Sequence, residues 1–418
     1  MSLQSIDSLS QTSHQHPPSA GTRSTGTSKM LDLARVLVLV AALGIITLGS
    51  LAGLTAIGVG LLIGGTDTLV LVTFGTSLLA LAGGLGTALA IQARQATRRQ
   101  PSSAFRPTMA GLLVLLFLLA VAIGQILLSL DLMPVVTFPL FHVAAATLPS
   151  LVILALVGRS LCGVTTWRDE ILQLSSGAFV ATPLAFVLEA VILMGLLIAT
   201  LVSVALRPGG QELLQTLTAY LQDPAWLQDP AALAPALTSP AILTAALLVV
   251  AGIIPLVEET VKTVGIGLMA YRRPTLPQAL LWGLAGGAGF TLVEGLLNAA
   301  SGVQMWAPVI LLRVGTTLLH CFTGALMGIA WYKVLARQSW GHGLGLYAAS
   351  IGIHGLWNAL SVGMAVFSLG MPQSGTADSL GIVTVLALLL TLILAMALGL
   401  AGLTLYVRKH SRANDDGP

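Results

Sequence analysis

Uncharged apolar stretches alternate with short polar joints along most of the chain, at roughly 36–63, 69–92, 108–130, 141–158, 176–206, 241–271, 277–301, 307–335, 345–369 and 381–407. Crossing ~30 Å of hydrocarbon at about 1.5 Å per residue takes about 20 apolar residues, the length offered each time. Only helices are admissible there, because lipid offers no partner to the open edge of a sheet. The pattern therefore predicts an all-α fold, a polytopic transmembrane helix bundle of about ten spans. Residues 1–29 are rich in Ser, Thr, Gln and His and hold no apolar run, which predicts a disordered cytosolic tail over 1–30. The run after Arg35 continues to about Gly64, too long for a signal-peptide core, and reads as a retained span.

The polar joints set the sidedness. Arg94, Arg98, Arg99, Arg106, Arg159, Arg168, Arg272, Arg273, Lys333, Arg337, Arg408 and Lys409 fall on one side of the alternation, and Arg207 falls on the other. Positive residues stay inside, so the N and C termini are both predicted in the cytosol. The chain divides into a five-span region over 31–206, an extracytoplasmic connector over 207–240, a four-span region over 241–369, and a last span with a cytosolic tail over 370–418. In the connector, Leu213, Leu214, Leu217, Tyr220 and Leu221 recur at helical spacing before Asp223-Pro224 and Asp229-Pro230. This predicts either a short amphipathic helix on the outer interface or a solvated connector.

Composition agrees with a lipid environment: 56% of residues are hydrophobic and 8% charged, against about a quarter charged in soluble domains. The formal net charge is +3, and basic residues never interleave with aromatics, so nucleic acid is excluded as a partner. Cys162 and Cys321 lie far apart and form no metal or redox motif.

Glu189, Glu258, Glu259, Lys262, Glu294 and Arg313 fall inside the apolar runs. An ionisable group at mid-bilayer costs roughly 2.5–3.5 kcal/mol on the insertion scale, so such groups face the bundle interior and mark function. Lys262 follows Glu258 by four residues and Glu259 by three, so its ammonium can reach either carboxylate, while the two carboxylates diverge by about 100°. A local ion pair that merely eased insertion would need only one of them. In the seventh run, Gly283, Gly287, Phe290, Glu294 and Asn298 share one face, with small residues for close helix approach. The eighth shows Arg313, Thr317, His320 and Gly324 as a stripe, and the ninth Ser350, His354, Asn358 and Ser361. Cys321 points away from its neighbour His320, so a Cys–His nucleophile within this helix is poorly placed. Asp67, Asp131 and His142 are expected near span ends, where an interfacial role suffices. Glu189 has no partner in its own helix and is read either as a site member or as bonded to a backbone or hydroxyl group.

In order and spacing these residues resemble the motif set of the PrsW family of intramembrane proteases, within the wider superfamily of CAAX prenyl endopeptidases and bacteriocin-processing enzymes. The match is EExxK at Glu258, Glu259 and Lys262, FxxxE at Phe290 and Glu294, His320 in a helix opening with Arg313, and HxxxN at His354 and Asn358. It covers about 250–360, roughly a quarter of the chain. CAAX-type enzymes carry EExxxR and FxxxH, so Lys262 and Glu294 place this chain on the PrsW side. Gly295 stands where PrsW-like members often have asparagine.

The resemblance implies a catalytic four-span core over 241–369 in a bacterial plasma membrane, cutting a membrane-embedded protein or peptide substrate. Its site would comprise Glu258, Glu259, Glu294, His320, His354 and Asn358, supported by Lys262 and Arg313. Glu258 is expected as the general base with Lys262 as its charge partner, and His354 with Asn358 near the oxyanion. Two readings of the cofactor stay open. Glu259, Glu294, His320 and His354 could supply zinc ligands, although HExxH is absent, and a metal-free glutamate mechanism fits equally. Two other functions compete with proteolysis. A proton- or ion-coupled transporter would also bury carboxylates and histidines but predicts inverted repeats. A non-catalytic immunity or scaffold relative requires that the polar side chains fail to converge.

Overall fold

The protein is described, in a computed structural model, over residues 25–65, 67–209, 240–300, 305–374 and 376–415, with isolated positions between 211 and 222. The polar tail before Thr25 and the connector segment around Leu213 to Leu221 lie outside the described residues. Among the described residues, ten helices are long and apolar enough to cross a membrane. They are α1 (Lys29–Ile63), α2 (Asp67–Thr97), α3 (Ala110–Ser129), α4 (Pro134–Ser160), α5 (Trp167–Ala205), α6 (Ile242–Leu268), α7 (Leu276–Asn298), α8 (Trp306–Leu335), α9 (Trp340–Ser368) and α10 (Ser379–Ser411). No strand forms among the described residues, and one isolated bridge joins Ala104 to Thr166. Cys162 and Cys321 are both free thiols.

Helix α7 is the axis of the bundle. Its most apolar stretch is 89% buried, against 11% for α1, α3 and α5. Leu280, Leu281, Leu284 and Leu296 are sealed among neighbouring helices rather than facing lipid. Two glycines set how closely those neighbours come. A Cβ at Gly287 would collide with the carbonyl of His320 on α8, and one at Gly289 with the carbonyl of Leu174 on α5. Lipid tails give no hydrophobic drive for helix association, so this backbone-to-backbone approach supplies the packing contact instead.

Helix α5 begins at Trp167, well before the apolar run expected from 176. Thr166 caps it, its hydroxyl accepting the backbone N–H of Asp169 at 3.2 Å. The polar first turns are tolerated because they bury against protein: Asp169 pairs with Arg272, and the Gln173 amide donates to the Met269 sulfur at 2.9 Å. His142 also departs from expectation. It lies inside α4 at 0% exposure, accepting a hydrogen bond from Trp306 Nε1 at 3.1 Å, with its Nε2 3.2 Å from the carbonyl of Leu296. Those partners lie more than 150 residues away in sequence, so local hydropathy could not reveal them.

Wide π-turns interrupt α5 at Gly177–Ala181 and α6 at Leu248–Ile253, each two residues before a proline, Pro183 and Pro255. Proline has no N–H for the helical ladder, and the turn loosens carbonyls that side chains then satisfy. Thr182 Oγ1 donates to the carbonyl of Gly177 at 2.9 Å, and Asn358 Nδ2 to the carbonyl of Val250 at 2.8 Å.

Candidate functional site

Helix α6 brings Glu258 and Glu259 to the axis next to α7, α8 and α9, and the helix pauses at Lys262 before resuming at Val264. The two glutamates have different surroundings. Glu259 is wholly buried, and its Oε1 is paired with Lys262 Nζ, accepts the Thr323 hydroxyl at 3.1 Å, and lies 2.8 Å from His354 Nδ1. Lys262 Nζ also donates to Thr323 Oγ1 at 3.3 Å and lies 5.3 Å from the centre of the Phe290 ring. This corrects the expected pairing of Lys262 with Glu258. Both carboxylates are within helical reach, but Lys262 turns beneath the site toward Thr323 on α8, the side on which Glu259 lies.

Glu258 has no such company. Its Oε2 is buried with no hydrogen bond, and it lies 3.6 Å from His354 Nε2, beyond hydrogen-bonding range.

The second half of the site is built by α7 and α8. Glu294 Oε1 accepts from Arg313 Nη1 at 3.1 Å and Asn298 Nδ2 at 3.2 Å, while Oε2 lies 2.9 Å from His320 Nε2. The rings of His320 and His354 stand perpendicular, with centroids 5.0 Å apart. His320 Nδ1 and the Nε and Nη2 of Arg313 are buried without hydrogen bonds.

Glu258, Glu294, His320, His354 and Asn358 all line one cavity of about 350 Å³, within the range of small ligand sites. Phe186, Asn298 and Leu312 also line it and are exposed, so it opens toward the end of the bundle where α7 hands over to α8. Glu259, Lys262 and Thr323 lie behind its wall.

Glu258, His320 and His354 each offer one ligand atom, all within 4.8 Å of one another. Zinc ligands at ~2.0–2.1 Å from a tetrahedral ion are roughly 3.3 Å apart, close to the 3.6 Å between Glu258 Oε2 and His354 Nε2. Glu258 Oε2 is an unbonded buried oxygen on the cavity wall that such an ion would satisfy, whereas the equally unbonded Oε2 of Glu259 lies behind that wall. Of the other carboxylates expected as ligands, Glu259 is engaged by Lys262 and Thr323, and Glu294 by Arg313 and Asn298. In this group Glu258 stands where Glu259 was expected.

Two residues gain importance from the geometry. Thr323 bonds both members of the buried ion pair, yet hydroxyls in spans carry little signal because they commonly bond their own helix, as Thr317 does to the Arg313 carbonyl at 2.8 Å. Glu189, left open by the sequence, lines the cavity.

Residues 167–393, more than half of the chain, match the family model described as PrsW family intramembrane metalloprotease. The match reaches back to Trp167 and so includes α5, beyond the stretch of 250–360 that carries the motifs. No curated protein and no solved structure matches the chain.

Proposed function

This chain belongs to the PrsW family of intramembrane metalloproteases, and we propose that it hydrolyses peptide bonds of membrane-associated proteins or peptides with a water activated at Glu258. The observation that supports this most is the division between adjacent glutamates. Lys262, Thr323 and His354 all converge on Oε1 of Glu259, which lies behind the cavity wall, whereas Glu258 has no hydrogen bond among the described residues and lines the cavity shared with two histidines.

Each residue then has a task. Glu259 accepts the Nδ1 proton of His354, which leaves the Nε2 lone pair directed at Glu258 and fixes the tautomer. Glu258 takes a proton from water as the water oxygen adds to the substrate carbonyl carbon. It returns that proton to the nitrogen as the C–N bond breaks. The unbonded Nε and Nη2 of Arg313 and the second amide hydrogen of Asn358 are donors for the carbonyl oxygen as its charge builds. Arg313 also holds Glu294 in place beside His320.

Glu258, His320 and His354 would hold a divalent metal ion such as zinc. When bound, it supplies a Lewis acid that polarises the carbonyl and eases deprotonation of water. A carboxylate has two oxygens, so holding an ion with one leaves the other free to accept a proton. With the termini in the cytosol of a bacterial plasma membrane, the cavity mouth lies in the extracytoplasmic half, where the substrate bond would be cut.

Metal content of the purified full chain tests this assignment. About one zinc per chain is expected, lost together with reporter cleavage in His354→Ala and on chelation, and regained on adding zinc. Full cleavage by a chain stripped of metal would assign the reaction to the glutamates alone.

A further inference from the structure

Helix α5 places one acid on the wall of this cavity that the proposed chemistry does not use. Glu189 lies one turn beyond Ala185, and both line the cavity. Its Oε1 is buried with no hydrogen bond, and no lysine, arginine or histidine stands within ion-pair distance among the described residues. The neighbouring acids differ in this respect: Glu294 has Arg313, Glu259 has Lys262, and Glu258 faces the histidines. Among the described residues, then, no backbone or hydroxyl bond makes Glu189 a packing residue.

Its place along α5 is also particular. Ile192 packs on the cluster around Val257 and Phe290, but every residue from 193 to 203 is exposed. Glu189 thus lies near the last point at which α5 meets the bundle, on the rim of the cavity next to a free helix face.

We propose that Glu189 is a specificity-determining residue, the acceptor for a lysine or arginine side chain of the substrate close to the bond that is cut. The assignment rests on the protease reading above. A half-buried carboxylate without a counter-charge is costly in lipid, and a cation removes that cost where a neutral group does not. The long stems of lysine and arginine let their charge reach a group set below the membrane surface. A substrate carrying one of them beside the extracytoplasmic end of its span presents the chemistry that this position lacks.

The test reads termini rather than a single known substrate. The full chain is reconstituted in vesicles with a bacterial membrane-protein fraction, and the new termini are mapped by mass spectrometry for wild type, Glu189→Gln, Glu189→Lys and Glu258→Gln. Cuts made by wild type and absent with Glu258→Gln define the activity. Among them, lysine or arginine near the cut is expected in excess over uncut segments, falling about tenfold in Glu189→Gln, while Glu189→Lys favours aspartate or glutamate. Specific cuts with the same flanking charges in wild type and Glu189→Gln overturn the role of Glu189 and leave the protease reading standing. No difference between wild type and Glu258→Gln overturns both.

Discussion

His354 stands between the two glutamates, with Nδ1 2.8 Å from Glu259 Oε1 and Nε2 3.6 Å from Glu258 Oε2. One carboxylate is thereby spent on orienting the imidazole and the other is left facing the cavity. Adjacent residues on a helix diverge by about 100°, which lets a single pair of glutamates serve two layers of one site. Four consequences can be measured.

Glu259→Ala removes the counter-charge of a lysine that is 0% exposed. Breaking a buried pair by removing one member costs about 3–5 kcal/mol, so the variant is expected to lose that much stability in detergent unfolding. Combining Glu259→Gln with Lys262→Met removes both charges and is expected to recover most of the stability. Cleavage stays low, because His354 still lacks its anionic acceptor. Recovery of full activity in the double variant would contradict the orienting role of Glu259.

Thr323→Val deletes the hydroxyl that bonds both Glu259 and Lys262. Loss of a buried partner costs about 1–3 kcal/mol, and loss of a group supporting a ligand typically lowers activity or metal affinity by about 10–100-fold. The cleavage rate and the zinc content of the purified variant are expected to fall together. Thr323→Ser keeps the hydroxyl and is expected to retain most of both.

Gly287→Ala inserts a methyl group against the carbonyl of His320, backbone that cannot rotate away. Overpacking of this kind costs about 1–3 kcal/mol and here displaces His320, so unfolding temperature and cleavage rate should both drop. Gly352→Ala is the control: its methyl group meets no atom within 4 Å, and alanine is the better helix former by up to about 1 kcal/mol. Its stability is expected to hold or rise, with cleavage unchanged.

The sequence made the membrane layout legible because a span must be apolar over a fixed length, whatever its neighbours are. It also exposed the candidate site, since charges such as Glu258 and Arg313 stand out against apolar runs and stripes such as His354 and Asn358 repeat at helical spacing. What it could not decide depended on distant partners. The polar start of α5 at Trp167–Ser176 reads as a loop until Arg272 is seen beside Asp169. His142 reads as interfacial until Trp306 and Leu296 enclose it. The choice of Lys262 between Glu258 and Glu259 turned on Thr323, a residue on another helix. Helical geometry alone allowed both.

The most direct measurement is cleavage of a membrane-anchored reporter by the full chain in proteoliposomes, with Glu258→Gln compared at equal unfolding temperature. General acid–base catalysis contributes about 10²–10⁴-fold, so the variant should lose at least about a hundredfold in rate while remaining folded. Cleavage by Glu258→Gln at the wild-type rate would contradict the central role of the free carboxylate.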